Sequence, residues 1–270
     1  MIATLPDARK ADLLEQLESF CHVSPSGRRR ALRDFQALAG TLNWAFNVFP
    51  LLKPALSNVY SKTAGKTDPH ALIYINQAVR VDLAWAARHI ATSTGVHFFG
   101  QEEWTAADLR FSQLNEEIAY VDASGVGLGL FFPWLNLGYY CERSGSAPLE
   151  TIFFFEGLAT CAVIHTAATH LRRRGAAGPK RVAVFTDNSN TVGIFNSLRA
   201  TPGYNTLLKS AVDVRLHFDI DVRVHHISGS DNRVADAISR RQFAAALALV
   251  PGLRILPFTP PRDALGAPAL

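Results

Sequence analysis

Cysteine is scarce in this chain of 270 residues: Cys21, Cys141 and Cys161 stand far apart, are odd in number and form no Cys-x-x-Cys pair. A disulfide framework is thereby excluded, and zinc held by thiolates has no support. The expected setting is reducing and intracellular, in the nucleus or cytoplasm. No leader-like run opens the sequence, because Pro6, Asp7, Arg9 and Lys10 interrupt Met1–Glu15. The longest apolar stretch, Val126–Cys141, contains Pro133, Asn136 and several glycines. It reads as two short strands, so no membrane partner is expected. Acidic residues are also few, 23 against 27 Lys and Arg, for a net charge of +4. That mild excess permits an acidic polymer as partner without demanding one. Hydrophobic residues make up 48%, enough for a full core.

Periodicity divides the chain into two regions and a tail. Within 1–115, leucines 13, 14 and 17 mark a helix over Arg9–Phe20, ended by Pro25-Ser26-Gly27. A second long helix is predicted over Arg28–Phe49 and a third over Ile73–Ile90, so this region reads as a small helical module. In 116–242 the pattern changes. Ile118–Ser124, Gly127–Phe132 and Leu137–Cys141 read as strands. Thr151–Arg174 reads as a long helix closed by Gly175. Arg181–Thr186 and Val222–Ile227 are further strands. Asn190–Leu198, Tyr204–Phe218 and Asp231–Arg240 are helices. Early hairpins followed by strand–helix alternation predict an α/β fold with a mixed five-stranded sheet flanked by helices. The tail is 243–270; from Val250 it is rich in proline and alanine and is expected to wrap or fray.

Because acids are few, their placement is informative. Asp122 sits inside an apolar strand. Glu156 lies in an uncharged part of its helix, with no basic residue three or four positions away. Asp187 ends the strand VAVFT, and Asp236 lies in the last helix. Each has a plainer reading alone: Asp187 as a helix cap, Asp236 as an exposed helix acid, Glu156 as a partly solvated one. Together they would repel one another and resist ionisation. Divalent metal relieves both costs, and Mg²⁺ or Mn²⁺ prefers such hard oxygen ligands. Two ions about 4 Å apart suit phosphodiester hydrolysis. Ligands of open α/β sheets also gather beyond the carboxyl ends of parallel strands, where Asp187 stands. Asp122 is expected at mid-sheet on a neighbouring strand.

Four blocks in order carry a resemblance: YVDASGVGLG (120–129), FFFEGLAT (153–160), VFTDNSNTV (184–192) and HHISGSDNRVADAISR (225–240). They resemble the RNase H domain of retroelement reverse transcriptases. FQALAGTLNWAFNVFP (35–50) and LLKPALSNVY (51–60) are similar to the thumb of such enzymes, particularly from elements that use a tyrosine recombinase; 61–115 would be the connection. No Tyr-x-Asp-Asp polymerase motif occurs, so no polymerase activity is expected.

The resemblance implies an RNase H-like fold and cleavage of the RNA strand of an RNA/DNA hybrid, chosen through its 2′-hydroxyls. Asp122, Glu156, Asp187 and Asp236 would be catalytic and hold two Mg²⁺ or Mn²⁺ ions. Ser124, Asn188, Asn190 and Asn232, with Arg28, Arg29, Arg30 and Lys180, are candidates for nucleic-acid contact; Arg33 and Arg181 join them as salt-sensitive phosphate contacts or as a solvated basic face. Trp44, Trp85 and Trp104 fit either core packing or base stacking. The sequence departs from bacterial-type enzymes in the loop before the last aspartate: Ser228–Asn232 holds no histidine, and His225 and His226 lie back in the strand. The basic protrusion of some members is also absent. Partners would be the hybrid and a reverse transcriptase polymerase domain or subunit. A catalytically silent nucleic-acid-binding or polymerase-partner module is the alternative.

Overall fold

A computed structural model describes the chain except residues 1, 24, 26, 98–103, 110–113, 144–148, 150 and 266–270. It divides into two compact units: Met1–Glu102 with Leu198–Pro202, and Glu103–Ser197 with Gly203–Leu270.

The first unit holds β1 (Ile2–Ala3), α1 (Asp7–Cys21), β2 (Arg29–Ala31), α2 (Leu32–Ala45), α3 (Ser57–Thr63), β3 (Leu72–Tyr74), α4 (Gln77–Thr92) and β4 (Val96–His97). Leu13, Leu17, Phe35, Leu42, Val79, Leu83 and Ile90 bury the helices' apolar faces. Each such burial contributes about 1.5–3 kcal/mol. Phe20 meets Phe35 edge-on, with ring centroids 4.9 Å apart. Two helices expected from sequence begin later than predicted. Arg29–Ala31 pairs antiparallel with Leu72–Tyr74, so both segments are strands. The Asp34 carboxylate accepts the Ala31 N–H (3.0 Å) and starts α2 at Leu32. The Asn76 carbonyl accepts the Val79 N–H (3.0 Å) and starts α4 at Gln77.

The second unit holds β5 (Glu116–Ala123), β6 (Gly127–Phe132), β7 (Leu137–Glu142), α5 (Ile152–Arg173), β8 (Lys180–Thr186), α6 (Ser189–Ser197), α7 (Asn205–Phe218), β9 (Ile220–His226), α8 (Arg233–Ser239), α9 (Phe243–Leu249) and β10 (Arg254–Pro257). The sheet order is β10-β7-β6-β5-β8-β9. β5, β6 and β7 form antiparallel hairpins, while β8 runs parallel to both β5 and β9. The mixed α/β architecture is the one expected. It has six strands, not five, because the tail supplies β10, parallel to β7. Proline at the end of β10 suits an edge.

Helix α5 is long and apolar enough to cross a membrane, but 72% of its apolar window is buried inside the protein. It is a core helix, packed on β5, β8 and α7. It ends as predicted: Gly175 adopts φ +71°, and the Ala176 N–H closes back on Leu171 O at 3.1 Å. Helix α8 packs on β6, β5 and β7. Gly129 permits this approach, since a Cβ there would stand 2.4 Å from Ala235 O and 2.6 Å from Ser239 N. The sheet is thus flanked by helices, and the carboxyl ends of β5 and β8 lie side by side.

Candidate metal centre

Asp122 is the penultimate residue of β5, so it stands at the strand's carboxyl end and not at mid-sheet. Its cross-strand partner is Gly129. Both therefore face α8, whose close approach brings the buried Ser239 hydroxyl to donate to Asp122 Oδ2. Ser239 is missed by the sequence reading, although it stands in the quoted segment ADAISR.

Glu156 lies near the start of α5, where the Thr151 hydroxyl caps the helix by accepting the Phe154 N–H at 3.2 Å. The next residue, Gly157, keeps the seam with α7 open; a Cβ there would lie 2.8 Å from Leu207. Glu156 Oε1 accepts the Ala123 N–H at 3.3 Å. Its Oε2 is buried with no hydrogen-bond partner.

Asp187 immediately follows β8. The expected alternative, that it caps the next helix, does not hold. Asn188 does so, its carbonyl accepting the Thr191 N–H at 3.0 Å. Asp187 is thereby left open to the mouth of the site. Gly229 of the following loop sits beside it, close enough that a Cβ would come within 3.2 Å of Asp187 Oδ2.

The three carboxylates of Asp122, Glu156 and Asp187 converge, with one oxygen from each lying within 4.8 Å of the others. Asp236 is not in that group. Its Oδ1 accepts from Arg240 Nε at 2.6 Å, yet it is near enough to act electrostatically on Asp122. Burial pushes Glu156 up from 4.5 to about 8, helped by the charges of Asp122 and Asp187 and opposed by the Ala123 amide and the Thr186 hydroxyl. Asp122 rises from 3.8 to about 6, again mainly by burial, against the Ser239 hydrogen bond. Both shifts have the cause expected for clustered, desolvated acids.

Three hard oxygen donors converge here and Glu156 keeps one buried oxygen without a hydrogen-bond partner, a set that fits a divalent cation of the Mg²⁺ or Mn²⁺ class. Asp122, Glu156 and Asp187 would hold it.

Several of the remaining candidates have partners within the protein. Ser124 is buried; its hydroxyl donates to Ser239 O at 2.8 Å and accepts the Val126 N–H at 3.0 Å. Asn232 is buried and donates to Val121 O at 2.8 Å, tying the start of α8 to β5. Asn190 is exposed. Lys180 starts β8, at the opposite end from Asp187, and donates to Phe218 O at 2.8 Å. Arg28, Arg29 and Arg30 belong to the first unit. Arg30 donates to Ser19 O and His22 O at 3.1 and 2.8 Å. Arg33 Nε lies 3.8 Å from Asp34. Arg181 lies over the Trp104 ring. Trp85 and Trp104 are buried, whereas Trp44 is 57% exposed. His226 pairs in register with Thr186, beside the cluster.

No family model matches this chain, and no curated protein does. Among solved structures it is similar to RNase H1 from the halophilic archaeon Halobacterium salinarum NRC-1, at 17% identity and a TM-score of 0.36, over 48% of this chain and 98% of that one. The mixed six-stranded sheet flanked by helices is of the α/β class that the sequence predicts.

Proposed function

We propose that this chain is a metal-dependent endonuclease that cleaves the RNA strand of RNA/DNA hybrids. The observation that carries the reading is the meeting of Asp122, Glu156 and Asp187 within 4.8 Å at the carboxyl ends of two parallel strands. These acids come from three separate elements. Two are buried, at a cost that a solvated structural role would not require. When bound, divalent ions supply an activated water and stabilise the leaving oxygen of the phosphodiester.

The residues of the chain set that geometry. Asp122 is oriented by Ser239, Glu156 by the Ala123 amide, and Asp187 is left open because Asn188 caps α6. Asp236 completes the set in this reading. Selection of the RNA strand would rest on its 2′-hydroxyls.

The descent we propose is from the C-terminal part of a retroelement reverse transcriptase. It is supported by the four sequence blocks and by the thumb-like segments at 35–60. Its partners would then be the hybrid and a polymerase domain or subunit, and its compartment the nucleus or cytoplasm.

The test uses labelled RNA/DNA hybrid, RNA duplex and DNA duplex in Mg²⁺, Mn²⁺ and EDTA. Cleavage confined to the hybrid, lost in EDTA and in Asp122→Asn, is the expected result. Binding without cleavage under every metal condition would mark a silent nucleic-acid-binding module instead.

A further inference from the structure

The last registered pair of the β5–β8 ladder is Tyr120 with Phe185. β5 continues to Ala123 and β8 to Thr186, yet among the described residues no pair joins these two strands further on. The sheet therefore forks here. Asp122 stands two residues along one prong, and Asp187 two residues along the other. One oxygen of each lies within 4.8 Å of the other.

Both residues at the fork carry rings. Tyr120 and Phe185 stack, with centroids 5.0 Å apart and planes at 16°. The row continues sideways: Phe131 of β6 lies 6.1 Å from Tyr120, and His225 of β9 lies 5.4 Å from Phe185. Each is the registered neighbour of the ring it meets, so four adjacent strands hold one row of rings. Side chains alternate along a strand, and Tyr120 therefore shares a face with Asp122. The row is held on both sides. Tyr120 and Phe131 pack with Ala235 and Ile238 of α8, while Phe185 packs with Trp104 and Leu109.

The plain account is a cross-strand aromatic pair that stabilises the sheet like any other. Its place goes beyond that account. It is the last tie between two strands whose next side chains on that face are acids that must stand at one separation to share an ion.

We propose that the Tyr120–Phe185 stack is the spacer that sets the separation of Asp122 and Asp187, and so tunes the centre to a small cation. The proposal rests on the metal-centre reading above and adds its selectivity. Tyr120 and Phe185 are positioning residues, because they act through the acids that follow them. Two flat rings in contact resist both closing and spreading of the fork. Mg²⁺ demands near-ideal geometry at about 2.0–2.1 Å, whereas Ca²⁺ accepts flexible coordination at about 2.3–2.6 Å. A loosened fork should therefore weaken Mg²⁺ binding more than Ca²⁺ binding.

The experiment titrates the full-length wild type, Phe185→Leu, Tyr120→Leu, Tyr120→Phe and Phe132→Leu calorimetrically with Mg²⁺ and, separately, with Ca²⁺, and melts each in EDTA. Phe132 is the control: it is buried on β6, on the face opposite Phe131 and against His170. Phe185→Leu and Tyr120→Leu should each lower the ratio of Mg²⁺ to Ca²⁺ affinity about threefold to tenfold, as loss of one aromatic pair implies. Either substitution suffices, since each removes one ring of the stack. Tyr120→Phe keeps the ring and should keep the wild-type ratio. Phe132→Leu should melt at lower temperature with the ratio unchanged. Equal loss for both ions in the stack variants, or the same ratio as in Phe132→Leu, would reduce the stack to ordinary sheet packing and overturn the proposal alone. A wild-type protein that binds neither ion would overturn the metal-centre reading together with it.

Discussion

Asp122 and Gly129 face each other across the β5–β6 ladder, and the side chain missing at Gly129 is what lets α8 bring Ser239 to Asp122. A small residue on one strand thus sets the position of an acid on the next, through a helix that touches both.

Gly129→Ala tests this relationship. The added Cβ would meet backbone atoms of α8, Ala235 O and Ser239 N, and backbone cannot rotate away. The helix must lift, at about 1–3 kcal/mol. The variant should unfold at lower denaturant and lose cleavage rate more than it loses hybrid affinity. Unchanged activity in a destabilised variant would separate α8 from the site.

Ser239→Ala removes the hydroxyl that favours the ionised form of Asp122. Asp122 is buried, and leaving its carboxylate short of a partner costs about 1–3 kcal/mol. Its carboxyl should rise further above about 6, so Mn²⁺ binding should move to higher pH. Calorimetric titration across pH checks this. An identical pH profile would contradict the role assigned to Ser239.

The pH dependence of the metal-free protein has a defined sign. Glu156 is raised from 4.5 to about 8, so in that window the native state holds a proton that the unfolded chain releases. Stability is full below the lower value and declines as pH rises toward the upper one. Asp122, raised from 3.8 to about 6, acts in the same direction over a lower window. Melting temperature in EDTA should therefore fall between about pH 5 and about pH 8. Glu156→Gln should flatten most of that slope, and saturating Mg²⁺ should oppose it. A wild-type profile in EDTA that falls no more steeply with pH than that of Glu156→Gln would contradict the burial of this acid.

Asn188→Ala removes the cap of α6, at about 1 kcal/mol. Asp187 is then the neighbouring carboxylate able to take the vacant amide. Divalent affinity should drop with stability, and Asn188→Ser should rescue both. Loss of stability with unchanged Mn²⁺ affinity would show that Asp187 does not depend on its neighbour.

Much of the second unit was legible because its strands alternate and its helices are periodic. β5 and β6, α5 and β8 lie within two residues of their expected bounds. The misreadings have one physical cause, which is partners distant in sequence. Arg29–Ala31 looks helical until it is paired with Leu72–Tyr74. The tail, expected to wrap or fray, joins the sheet because Arg254–Pro257 finds β7. The convergence of Asp122, Glu156 and Asp187 could be expected from strand ends and the absence of local counter-charges. The backbone hydrogen bonds of Ser124, Asn188 and Asn232 could not, since polar side chains carry no sign of which amide or carbonyl they will meet. The pairing of Asp236 with Arg240 was visible as an i, i+4 spacing and went unread.

Anomalous diffraction from a crystal soaked in Mn²⁺ is the most direct test of the account. It predicts density for one or two ions bounded by oxygens of Asp122, Glu156 and Asp187, absent in Asp122→Asn. Carboxylates turned away from one another around an empty centre, at Mn²⁺ concentrations that support cleavage, would contradict it.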